Sequence, residues 1–198
     1  MKVKNCRFIL NTLNKSAENN NLSVMPKIKP KFSHKLIDAE FNPYTAEINL
    51  NNITSSRILK PIVKNSIQHT TKHAEQFQII ARYIAGFAEN INTGINNFKK
   101  FMLKNFPQYQ SQTFNKKYYQ QVIKKDGVIK QGDNLFERAK MYVDALKKYP
   151  TYEPFENVKI WVEDGLDEMI NNRITKNKLK RTNLLEEEAR QAAKQNLK

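Results

Sequence analysis

The chain has 198 residues, 39% hydrophobic and 10% aromatic, with only 5 glycines and 7 prolines. That composition suits one compact domain with a short appendage and excludes a low-complexity linker. A single cysteine, Cys6, excludes an internal disulfide or a C-x-x-C pair, and no apolar run approaches the ~18 residues of a membrane span.

The formal net charge is +15, carried mostly by lysine. Such a balance favours contact with a nucleic acid, an acidic protein surface or a membrane surface. The basic residues are dispersed, as at Lys99-Lys100, Lys116-Lys117, Lys124-Lys125 and Lys147-Lys148, with no nucleic-acid recognition motif around them. A solvated lysine-rich surface is the plainer reading. The opening "MKVKNCRFILNTLNKSAENNN" has an apolar patch too short for a secretory leader. Residues 1–25 read as a weak helix, with Phe8, Ile9 and Leu13 on its apolar side, and residues 1–30 as an arm that docks on a partner.

Prolines at 26, 30 and 43 then break helical continuity, while "HKLIDAEF" and "YTAEINLN" alternate apolar and polar residues as strands do. With "NPY" as the turn, this predicts a two-stranded hairpin at about 34–50. From about Thr54 the period changes. Ile62, Ser66, His69, His73, Gln76, Ile80, Tyr83 and Phe87 form one stripe; Val63, Ile67, Thr70, Ala74, Phe77, Ala81, Ile84 and Ala88 form another. Together they predict a long central helix over about 57–90, apolar around more than half its circumference. "SSRILKP" supplies a cap and an early proline at its start.

Shorter amphipathic helices follow in "TGINNFKKFMLKNF", in "NKKYYQQVIKK" closed by Asp126-Gly127, in "NLFERAKMYVDALKKY", and in "VKIWVEDGLDEMINNRI". A basic connector, "TKNKLKR", leads to a last helix, "NLLEEEARQAAKQNLK". The expected fold class is α+β, mainly α, with a small N-terminal hairpin or sheet packed on a bundle around the long helix.

His69 and His73 lie four apart, so a helix presents both imidazoles on one face, as at zinc sites. The alternative is a pair on the inner face of a core helix, hydrogen-bonded to backbone or tyrosine. In the last helix Asn183 and Glu186 form a capping-box-like pair, and Glu187 faces solvent in the first turn. Leu185, Glu188, Ala189 and Ala192 fall on one stripe, which turns Glu188 toward the core. A carboxylate there requires a cation, either a metal or a nearby lysine or arginine.

The chain resembles the zincin-like metallopeptidases, in particular small bacterial and phage-encoded ones. The resemblance rests on "AEINLN" before "HTTKHAEQ…IAR", followed by a later helix with an E-A dipeptide in "NLLEEEARQAA". It covers about residues 31–198 and implies a zincin-like domain there. It implies zinc as the cofactor, His69, His73 and Glu188 as ligands, and Glu137 of "FERAK" as the substitute third ligand. The family's general base follows its first histidine; here that position is Thr70. A threonine hydroxyl cannot shuttle a proton near neutral pH, and losing a positioned base removes ~10²–10⁴-fold in rate. Glu75, six residues after His69, points away from the ligand face. The resemblance therefore implies a catalytically inactive structural or binding module with protein partners, such as a component of a phage virion. The alternatives are an active zinc peptidase with a non-standard base, and a basic nucleic-acid-binding helical protein.

Overall fold

A computed structural model describes residues 3–31, 38–51, 60–148 and 184–194. Among them the architecture is mainly helical with one three-stranded sheet. The helices are α1 (Val3–Asn19), α2 (Lys60–Gly86), α3 (Ile91–Asn105), α4 (Lys116–Asp126), α5 (Phe136–Lys148) and α6 (Leu184–Lys194). The strands are β1 (Lys27–Lys31), β2 (Asp38–Asn42) and β3 (Glu47–Asn51). The helix expected in "VKIWVEDGLDEMINNRI", the connector after it and the Asn183 cap lie outside the described residues, as does the start of the expected hairpin.

α2 is the axis of the fold, because most of its circumference is buried. Val63, Ile67, Ala74, Phe77, Ile80, Ala81 and Ala85 are core residues, and α1, α3, α4, α5, α6 and β2 all pack on it. The hairpin joins β2 and β3 antiparallel, with Ala39 opposite Leu50 and Phe41 opposite Ile48. These four side chains are buried, so the alternation read in the sequence puts one face on the core. Phe41 meets Phe77 of α2 with ring centroids 6.1 Å apart. In the turn, the Asn42 side-chain oxygen accepts from the backbone N–H groups of Tyr44 and Thr45, at 3.0 and 3.1 Å.

The sheet has a third strand. β1 adds parallel to β3, giving the order β1-β3-β2. Pro30 masks it in the sequence, yet β1 is an edge strand, where a missing N–H is tolerated. The first helix is also packed. Ile9 and Leu13 of α1 are buried, the hydroxyls of Ser16 and Thr71 share a hydrogen bond, and Asn20 donates to Thr71 at 3.0 Å. α1 closes with Asn21 in the left-handed region (φ 51°), and the Leu22 N–H bonds back to the Ala17 carbonyl at 2.8 Å. The segment read as an arm is thus fastened to α2 at both its apolar and its polar residues.

α3 and α4 are capped by Asn90 and Asn115, whose side chains accept from the N–H groups of Thr93 and Tyr118. α3 crosses α2 closely at Gly94, where an added Cβ would stand 2.7 Å from the Cα and Cβ of Ala85. Gly94→Ala is accordingly expected to destabilise the protein by about 1–3 kcal/mol, as overpacking does. Denaturant unfolding checks this; an unchanged midpoint would contradict the close crossing.

Candidate metal centre

Three side chains meet where α6 lies on α2. His69 and His73 project from one face of α2, four residues apart, and Glu186 projects from the first turn of α6. The Nε2 atoms of the two histidines are 3.0 Å apart. His73 Nε2 stands 3.2 Å from Glu186 Oε1, and His69 Nε2 stands 3.4 Å from Oε2. His73 and Glu186 are almost wholly buried, while the His69 side chain keeps 20% of its exposure and marks the side nearest solvent.

Gln76 fixes the chemistry of this group. Its amide nitrogen donates to the Leu185 carbonyl at 2.9 Å, a partner that can only accept. The Gln76 side-chain oxygen therefore faces His73 Nδ1, 2.9 Å away, and must accept from it. His73 thus carries hydrogen on Nδ1, and its Nε2 faces both Glu186 and His69 Nε2. One residue sets the ring's orientation and also anchors the backbone next to Glu186, which is how outer partners organise metal ligands.

Burial and the neighbouring His73 push the His69 imidazole below its ordinary pKa, which favours the neutral, ligating form. Burial would raise the Glu186 carboxyl, but the facing His73 and His69 outweigh it and hold it well below the usual carboxylate range. Glu186 is thus a buried anion, and its Oε2 has no well-formed hydrogen bond among the described residues.

These residues fit a zinc ion. Two imidazoles and one carboxylate are a familiar donor set for it. Ligands at about 2.0–2.1 Å in a tetrahedron stand roughly 3.3–3.4 Å from one another; the three separations here are 3.0, 3.2 and 3.4 Å. A proton bridges two atoms well. Three ligand atoms so close together could hold a metal ion.

Glu188, expected as the third ligand, sits in a different group. Its Oε2 accepts from Arg138 at 3.0 Å and from the Tyr142 hydroxyl, with Lys72 Nζ at 3.8 Å. Arg138 and Lys72 also hold the buried Glu75, at 3.4 and 2.9 Å. The carboxylate did need a cation, and arginine and lysine supply it. Burial raises the Glu188 carboxyl, but the Tyr142 and Arg138 hydrogen bonds and the nearby charges outweigh it and lower it. Glu137, the other expected substitute, is exposed in the first turn of α5. Thr70 is buried, and its hydroxyl donates to the Ala39 carbonyl of β2 at 2.7 Å. Thr70 is therefore a bolt between helix and sheet.

Glu186 escaped the sequence reading because a glutamate in a helix's first turn has a ready local role. Its signal was available in the apolar pattern: Leu185, Ala189 and Ala193 are the buried residues of α6, and Glu186 lies among them. No family model, curated protein or solved structure matches the chain.

Exchanging the two glutamates separates their roles. Glu186→Gln is expected to weaken uptake of a divalent metal ion, whereas Glu188→Gln should leave that uptake unchanged and lose about 1–3 kcal/mol of stability. Elemental analysis and denaturant unfolding read the two effects. Gln76→Leu is expected to weaken binding of a divalent metal ion by about 10–100-fold, measured by chelator competition. Unaltered affinity in that variant would refute its orienting role.

Proposed function

We propose that this chain is a zincin-like zinc-binding module without peptidase activity, acting as a structural or binding component of a larger assembly, such as a virion. One observation carries the reading. The convergence of His69, His73 and Glu186 occurs on a helix whose residue 70 has its hydroxyl committed to the Ala39 carbonyl.

Zinc, when bound, would polarise a carbonyl and acidify a water molecule. Turnover also needs a group that moves protons beside that water. Thr70 lacks the acidity and is engaged elsewhere. Glu75 and Glu188 are held by Lys72 and Arg138. What the ligand set does supply is mechanical. It ties α6 to the middle of α2 across more than a hundred residues of chain, with Gln76 and Leu185 109 positions apart.

A protein partner is supported by an exposed aromatic group at the end of α2. Phe87 is 68% exposed and packs edge-on against Tyr83 at 5.0 Å, with Phe136 beside both. Such apolar surface is a usual mark of an interaction site.

Two outcomes are expected. Zinc-loaded wild type should show no zinc-dependent cleavage of a broad peptide library, and Thr70→Glu is the variant that restores a carboxylate beside the first ligand. Robust turnover by the wild type would overturn the reading. Chelation should lower the thermal midpoint and speed amide exchange chiefly in residues 184–194, since a ligand at ~100 times its Kd adds about 2.7 kcal/mol. An unchanged midpoint would remove the structural role of the metal.

A further inference from the structure

The segment that builds α3 and most of α4 carries only positive formal charge. The sequence from Asn90 to Lys125 contains seven lysines and no aspartate or glutamate. All seven lysines are exposed. Lys125 donates to the Ser23 carbonyl at 2.8 Å. The other six, Lys99, Lys100, Lys104, Lys116, Lys117 and Lys124, have no carboxylate partner among the described residues. Asp126, the first acid after this stretch, faces Arg82 at 3.6 Å and leaves the lysines uncompensated.

The two helices form a firm platform. Phe98 of α3 and Tyr119 of α4 are fully buried with ring centroids 4.7 Å apart, and Gln120 donates to Asn92 at 3.1 Å across the helix pair. The lysines are therefore carried on rigid elements.

We propose that the α3–α4 face is a docking surface for the phosphate backbone of duplex nucleic acid. Its chemistry selects this partner. The 15 residues of α3 extend about 22 Å, which spans roughly six phosphates of one strand at 3.4 Å each. Exposed amides at Asn96, Asn97 and Gln121 add neutral donors for phosphate oxygens. A single strand is bound largely by stacking on exposed rings, whereas here Phe98, Phe106, Tyr109, Tyr118 and Tyr119 are buried and Phe101 and Phe114 half-buried. A membrane surface would call for apolar side chains that insert, and the exposed positions of these helices are chiefly lysine, asparagine and glutamine. Binding is thus electrostatic and indifferent to sequence.

The test uses the full chain and a fluorescent 24-base-pair duplex, read by anisotropy over a salt series. Wild type should bind in the micromolar range, with affinity falling steeply as salt rises. The triple variant K99Q/K117Q/K124Q should flatten the slope of log affinity against log salt by roughly three. A second triple variant, K140Q/K147Q/K194Q, removes the same charge from α5 and α6 and should have a much smaller effect. Circular dichroism verifies that both variants are folded. Equal weakening by the two triples would reduce the effect to bulk charge and overturn the proposal. So would stronger binding to single strands of equal length, or to vesicles containing anionic lipid, or absence of duplex binding at 50 mM salt.

Discussion

The burial of the Glu186 carboxylate is the constraint around which this molecule is organised. Removing a carboxylate from water costs several kcal/mol, of that order even after the surroundings relax. The fold recovers the cost only if a positive centre stands within reach of both oxygens. His69 and His73 supply the positions for it, and Gln76 keeps one ring in the required tautomer. Each of these residues comes from α2, so α6 has one admissible seat. Leu185 and Ala189 then fill the core beside it.

A second polar layer lies beside the first and has a different character. Lys72, Glu75, Arg138, Tyr142 and Glu188 neutralise one another in a network joining α2, α5 and α6. Its charges balance without an added ion. Two carboxylates two residues apart on α6 therefore take different parts, one facing the two imidazoles and the other facing ammonium and guanidinium groups. Helical geometry separates them by more than half a turn. The difference is set by what α2 and α5 present, since the glutamates themselves are chemically identical.

The long helix was legible because its two apolar stripes persist for many turns, and the hairpin because Ala39, Phe41, Ile48 and Leu50 alternate cleanly. The histidine pair was legible from spacing alone. Choosing the third member was not, because Leu185, Glu188, Ala189 and Ala192 fit a helical stripe nearly as well as Leu185, Glu186, Ala189 and Ala193. A rotation of α6 by a fraction of a turn distinguishes them, and packing against α2 decides it. β1 was hidden for a different reason: parallel pairing with β3 is a non-local event, and "KIKPK" has little intrinsic strand character. α1 looked marginal by itself, and its tie to α2 through Ser16, Asn20 and Thr71 is tertiary.

The wide separation between Gln76 and Leu185 also sets an order of events in synthesis. At ribosomal speeds of about 5–20 residues per second, roughly 5–20 s pass between the appearance of these two residues. During that interval the polar face of α2 around His69, His73 and Gln76 has no α6 to cover it. His69 and His73 then lack the third member of the cluster, which Glu186 completes. The last helix then acts as a closing element, and the nascent chain passes from labile to committed only when it arrives.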